Sequence, residues 1–137
     1  MTNGSDLPAQ AASKLRILLA DDNADSLNSL GMLLELLGHE VELCKDGTEA
    51  IRAGASFEGD VAILDIGMPG ANGYEVARNL RAGAWGRNLT LIALSGWGQT
   101  QDQQQAQDAG FDHHLTKPVE LDSLQRLLAS IKSARAL

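Results

Sequence analysis

Val61-Ala62-Ile63-Leu64-Asp65 is a run of four apolar residues closed by a carboxylate. It is short for a helix and too continuous for a strand with one wet face, so it reads as a strand covered on both sides. Similar short runs flank it. Leu15 to Ala20 ends at Asp21 and Asp22, Thr90 to Leu94 ends at Ser95, Asp112 to Leu115 stops shortly before Lys117-Pro118, and Val41 to Cys44 makes a fifth.

Amphipathic segments separate these runs. Asp25 to Leu37 carries Leu27, Leu30, Leu33, Leu34 and Leu37 at helical spacing, with Gly38 in the usual position after a helix. Thr48 to Ala55, Asn72 to Ala82 (Val76, Ala77 and Leu80 on one face) and the Gln-rich Thr100 to Ala109 read as further helices. Leu121 to Ile131 has the stripe Leu121, Leu124, Leu127, Leu128 and Ile131. Five strands alternating with five helices predict an α/β fold: a doubly wound, five-stranded parallel sheet with helices on both faces. Ligand sites of such sheets lie beyond the carboxyl ends of the strands. Asp21, Asp22, Asp65, Ser95 and Lys117 all fall there.

The chain has 137 residues, which suits one domain, and an apolar fraction of 44%, enough for a core. A net charge of −7 with no basic stripe argues against nucleic acid as a partner. No apolar stretch is long enough to span a bilayer, and no basic and apolar leader opens the chain, which predicts no membrane insertion and a cytoplasmic setting. A single cysteine, Cys44, lies in an apolar run and reads as a small core residue of a protein in a reducing compartment. Residues 1–13 are small, polar and aperiodic and predict a flexible tail before a domain over residues 14–134; residues 135–137 form a second tail.

Three carboxylates gathered at one edge repel, by roughly 4 kcal/mol per pair at about 4 Å and an effective dielectric near 20. They raise one another's pKa or recruit a cation, and a hard divalent ion with oxygen ligands, Mg²⁺ or else Mn²⁺, fits. Asp21, Asp22, Asp65 and the backbone carbonyl of Gly67 are its expected ligands. With phosphoryl oxygens beside such an ion, Asp65 becomes a nucleophile that forms an aspartyl phosphate. Lys117 supplies a compact cation, Ser95 a hydroxyl donor, and Pro118 permits a cis peptide in the turn that aims Lys117.

Asp21-Asp22, Asp65, Met68-Pro69, Gly73, Ser95 and Lys117-Pro118, with 30 residues from Asp65 to Ser95 and 52 from Asp65 to Lys117, resemble the receiver domain of two-component response regulators. The resemblance covers about residues 14 to 134. It implies strand order 2-1-3-4-5 and Mg²⁺-dependent phosphorylation of Asp65 by a phosphohistidine on a histidine kinase or histidine phosphotransfer protein. It also implies a switch in which the Ser95 hydroxyl moves toward the phosphoryl group, an aromatic residue on the fifth strand turns, and the face of helix 4, strand 5 and helix 5 is remodelled for a downstream protein partner. The switch position is His114, in place of the usual Tyr or Phe. The stretches Leu94-Ser95-Gly96-Trp97-Gly98 and His113 to Glu120 resemble receivers of hybrid histidine kinases; a free single-domain regulator or a phosphorelay intermediate, monomeric or weakly dimeric, also fits.

Blander readings exist for each residue alone: strand-end acids are often solvated, and Asp-Asp before a helix is a capping pattern. The joint match of positions favours function. His113 and His114, adjacent on a strand, point to opposite faces and do not chelate together. Gly67 offers no side chain to direct a hydrolytic water, and Trp97 folded over the site would slow hydrolysis further. An aspartyl-nucleophile phosphatase would want an acid at position 67, and a binding-only pseudo-receiver would have lost part of the set. The expectation is therefore a signalling domain that catalyses only its own phosphorylation and dephosphorylation.

Overall fold

The computed structural model describes residues 14–83, 86–96 and 103–136, with side chains from 104 to 134 in the last segment. Five strands, β1 (Arg16–Ala20), β2 (Glu40–Cys44), β3 (Val61–Asp65), β4 (Thr90–Ser95) and β5 (His113–Thr116), form one parallel sheet in the order β2-β1-β3-β4-β5. The helices are α1 (Ala24–Leu36), α2 (Gly47–Gly54), α3 (Gly73–Ala82), α4 (Gln103–Ala109) and α5 (Leu121–Ala136).

Strand alternation splits the interior into two cores. Leu18, Ala20, Ala62, Leu64, Leu91 and Ala93 face one way and pack with Ala50, Val76, Ala77 and Leu80 of α2 and α3. Ile17, Leu19, Val61, Ile63, Ile92 and Leu94 face the other way and meet Leu27, Leu30, Leu34, Leu124 and Leu128 of α1 and α5. The central strand β3 is buried at every residue, whereas the edge strand β2 buries only Cys44.

Local chemistry sets the helix starts. Asn23 accepts from Ser26 N at 3.0 Å and caps α1; Asp46 accepts from Glu49 N at 2.8 Å and caps α2. Asn72 and Glu75 bond reciprocally, each at 3.0 Å, in a capping box on α3. Asn72 is thus the cap rather than the first helical residue, and α2 begins at Gly47 rather than Thr48. Gly73 must be glycine: a Cβ there would lie 2.6 Å from the Asp65 carbonyl oxygen, so α3 packs directly behind the end of β3.

Three expectations change. Helix α5 continues past Ile131 to Ala136, because Lys132-Ser133-Ala134-Arg135-Ala136 contains no breaker although its apolar stripe has ended. Leu121, assigned to that stripe, is 46% exposed in the first turn. Strand β5 starts at His113, since Asp112 is engaged by Arg81 and by Leu91 N below the strand. A 3₁₀ turn over Gly86–Asn88 had no sequence signal.

Candidate functional site

The carboxyl edge of the sheet collects the expected polar groups. Asp21 follows β1, and its N–H is fixed by Cys44 O at 3.1 Å. Asp65 and Ser95 are the last residues of β3 and β4. Lys117 follows β5, with its N–H donated to Ser95 O at 2.7 Å, and the Lys117–Pro118 peptide is cis. Asp21, Asp65 and Ser95 are buried; Asp22 is exposed.

Carboxylate oxygens of Asp21, Asp22 and Asp65 lie within 4.8 Å of one another. Lys117 Nζ stands between two of these acids, 2.8 Å from Asp21 Oδ2 and 3.2 Å from Asp65 Oδ2. Asp21 Oδ1 accepts from Asn23 N at 3.0 Å and Asp65 Oδ1 from Gly67 N at 3.2 Å. Each buried acid therefore has one oxygen aligned by backbone and the other turned to the shared ammonium.

Burial pushes the Asp65 carboxyl up to about 6; a hydrogen bond with Asp21 adds to this, and the Lys117 charge partly offsets it. Burial alone would lower Lys117, but its hydrogen bond to Asp21 and the charges of both acids outweigh that and hold it above its ordinary value. Asp65 is thus a basic carboxylate, still ionised near neutrality, beside a firmly charged ammonium. All the clustered donors are hard oxygens, the set that suits a divalent cation.

Ser95 Oγ lies 2.8 Å from His114 Nε2. The ring of His114 is partly exposed, and its partial burial holds its pKa below the usual histidine value. His113 is exposed, and the two histidines do not share a metal site with any third ligand among the described residues. Trp97 lies outside the described residues. Gly67 is exposed next to Asp65.

Sequence reasoning missed a groove of about 330 Å³ beside the acids, walled by Ser29, Leu30 and Leu33 of α1 and by Lys117, Pro118 and Val119. The signal was present in part: Leu33 belongs to the α1 stripe yet is only partly buried. It also missed the Ser95–His114 bond, which depends on the register pairing Ser95 with Thr116 and Ala93 with His114.

Known proteins resemble this chain in sequence and fold. Residues 17–129 match the family profile of the response regulator receiver domain. The virulence sensor protein BvgS of Bordetella bronchiseptica is 33% identical over 135 residues, covering 95% of this chain and 11% of that protein. The transcriptional regulatory protein KdpE of Mycobacterium tuberculosis is 37% identical over 117 residues, covering 85% of this chain and 50% of that protein. The chain thus spans half or less of these relatives' length. Among solved structures, the receiver domain of a sensor histidine kinase from Pseudomonas aeruginosa superposes with a TM-score of 0.79 at 31% identity, over 88% of this chain and 98% of that one. That structure holds a magnesium ion in its active-site cleft. No helix among the described residues is long and apolar enough to cross a membrane. In sequence and fold, the chain belongs to the response regulator receiver domain family of two-component signalling.

Proposed function

We propose that Asp65 is the phosphoacceptor of this receiver, with Asp21, Asp22, Asp65 and the Gly67 carbonyl as the ligands of Mg²⁺. One observation carries the reading: Asp65, buried at the end of the central strand, has an ammonium 3.2 Å from one oxygen and two further carboxylates within 4.8 Å. A bound Mg²⁺ supplies charge neutralisation for incoming phosphoryl oxygens. Mn²⁺ is the substitute that the same oxygen donors accept.

The chain's own groups do the rest. Gly67 N–H and Lys117 hold the two Asp65 oxygens, which fixes the nucleophile's orientation. An Asp65 oxygen attacks phosphorus; the N–P bond of a phosphoimidazolium breaks, an O–P bond forms, and the imidazole leaves neutral. Lys117 then neutralises part of the phosphoryl charge, and Ser95 donates its hydroxyl proton to a phosphoryl oxygen. Gly67 places no side chain where a hydrolytic water would be oriented, which favours a long-lived acyl phosphate.

The donor is a histidine kinase or histidine phosphotransfer protein. The groove beside the acids supports this: Leu30, Leu33, Pro118 and Val119 give apolar contact next to the phosphoacceptor, and Ser26 and Ser29 line the same wall. A histidine-bearing helix laid along it would bring its imidazole to Asp65.

Intact mass after incubation with Mg²⁺ and acetyl phosphate tests the reading. We expect one adduct of about 80 Da, a single phosphoryl group, lost with EDTA and lost in Asp65→Asn. An adduct that persists in Asp65→Asn would overturn the assignment.

A further inference from the structure

The buried hydroxyl of Ser95 has an imidazole nitrogen as its partner. A serine hydroxyl offers one hydrogen and two lone pairs; a neutral imidazole offers one N–H and one bare nitrogen. The 2.8 Å contact between Ser95 Oγ and His114 Nε2 can therefore be filled in two directions. Either Ser95 O–H donates to a bare Nε2, or Nε2–H donates to Ser95 Oγ. Only the second leaves the serine hydrogen free for another acceptor. A phosphoryl oxygen on Asp65 is such an acceptor, and charge-assisted bonds to it are the stronger kind.

We propose that His114 is a positioning residue whose hydrogen bond with Ser95 reverses on phosphorylation. In the resting protein Ser95 O–H donates to Nε2. In the phosphorylated protein Nε2–H donates to Ser95 Oγ, and Ser95 donates to the phosphoryl group. This rests on Asp65 being the phosphoacceptor. The reversal needs a proton on Nε2, gained either by transfer of the neutral ring's proton from Nδ1 or by uptake of a second one. The exposed ring exchanges protons with water, so neither route needs a protein donor.

The surroundings allow both states. The pocket beside His114 is lined by two charged groups, Lys117 and Glu120, together with neutral Leu115, Thr116, Pro118 and Ser123. Lys117 is drawn away toward Asp21 and Asp65. On β4 the facing group is Ser95 itself; on α4 the described ionisable group is Asp108, which accepts from Gln104 Nε2. Partial burial lowers the ring's pKa and so favours its neutral form. Conversion of the Asp65 carboxylate to an acyl phosphate adds about one net negative charge to the site, which favours the imidazolium. A phenylalanine here could not bond the hydroxyl, and a glutamine could serve in either direction without titrating.

Nitrogen-15 NMR of the imidazole in the 137-residue protein reads the reversal directly. His114→Gln assigns the signal, and beryllofluoride with Mg²⁺ serves as the phosphoryl mimic. The expected result is a bare Nε2 without the mimic and a protonated Nε2 with it, together with a rise in the ring's titration midpoint. An Nε2 of the same type in both, while the Asp65 amide reports bound mimic, overturns the proposal and leaves the phosphoacceptor reading intact. Failure of the mimic to bind, with no phosphoryl adduct by mass, overturns both. Phosphorylation by acetyl phosphate adds an independent readout across about pH 6 to 8. His114→Gln, which can still bond the Ser95 hydroxyl, should lose less than His114→Phe and show a flattened pH profile, and His114→Phe should lose several-fold. Equal behaviour of the two variants would reduce His114 to a packing residue and overturn the proposal.

Discussion

The two ends of the sheet both carry charged residues, but they use them in opposite ways. At the amino end, Arg81 donates to the carbonyl oxygens of Gly86, Leu89 and Gly110 and to Asp112, which also accepts from Leu91 N. Asp60 accepts from Arg16 N, and Arg16 Nη1 donates to Glu58 O. There the charges serve backbone groups of the strand starts and turns, most of which have no other partner from the strands and turns; Gly86 O also accepts from Leu89 N. At the carboxyl end, three acids converge, and a single ammonium bridges the two buried ones. The first pattern ties loops to strands; the second holds repulsion in place. At the amino end the charges have mainly backbone partners; at the carboxyl end each buried acid has one backbone partner but also faces a like charge, and a site of clustered, desolvated like charges is where a cation or a phosphoryl group would be accommodated.

The comparison breaks most clearly at Arg81. Arg81→Met should leave the Leu89 and Gly110 carbonyl oxygens without their donor, strip the counter-charge from Asp112 and destabilise by about 2 kcal/mol or more, while Gly86 O keeps Leu89 N–H and Asp112 keeps Leu91 N–H. The urea midpoint measures it, and a change within about 0.5 kcal/mol would mean the network is decorative. Asp65→Asn should do the opposite. The carboxyl sits at about 6 in the fold against an ordinary 3.8. Between those values the native state binds more protons than the unfolded chain, so stability falls as pH rises through that window. At about pH 7.5 in EDTA the asparagine variant escapes that penalty and should be more stable by about 1 kcal/mol, discounted for solvent screening. A loss of stability instead would show that the Lys117 ion pairs outweigh the repulsion.

Much of this was legible because strand-end residues announce themselves. A continuous apolar run ending in Asp or Ser gives both the strand and the edge, and Asp21, Asp22, Asp65, Ser95 and Lys117 emerged from that pattern. The strand order came from the resemblance to receivers, since runs of residues do not say which strands pair. What stayed hidden depends on register and on three dimensions. Arg81 was not singled out from the sequence; its role follows from the return of Gly110 and Asp112 to the foot of α3, about 30 residues later in sequence. Leu121 followed the apolar spacing of α5 yet is exposed, because a helix's first turn can overhang the layer it packs on. His39 carried no sequence signal beyond its place after Gly38.

His39 sharpens the comparison at smaller amplitude. It is buried, and its Nδ1 accepts from Leu15 N at 3.1 Å. Burial and then the Lys132 charge lower its pKa. The unfolded chain therefore binds the proton more readily, and the contribution is fully present above the ordinary histidine value of about 6.5 and declines as pH falls below it. His39→Gln should flatten that part of the profile, and an unchanged slope would remove His39 as the cause. The smallest effect belongs to Leu121, and a buried neighbour on the same stripe is its control. Leu124→Ala empties a fully buried position on the α5 face of the core and should cost about 3 kcal/mol. Leu121→Ala, three residues earlier, should change stability by less than about 0.5 kcal/mol. If Leu121→Ala nevertheless weakens phosphoryl transfer from a histidine donor while acetyl phosphate still works, then its exposure serves a partner, and the carboxyl end of the sheet extends its functional surface onto the first turn of α5.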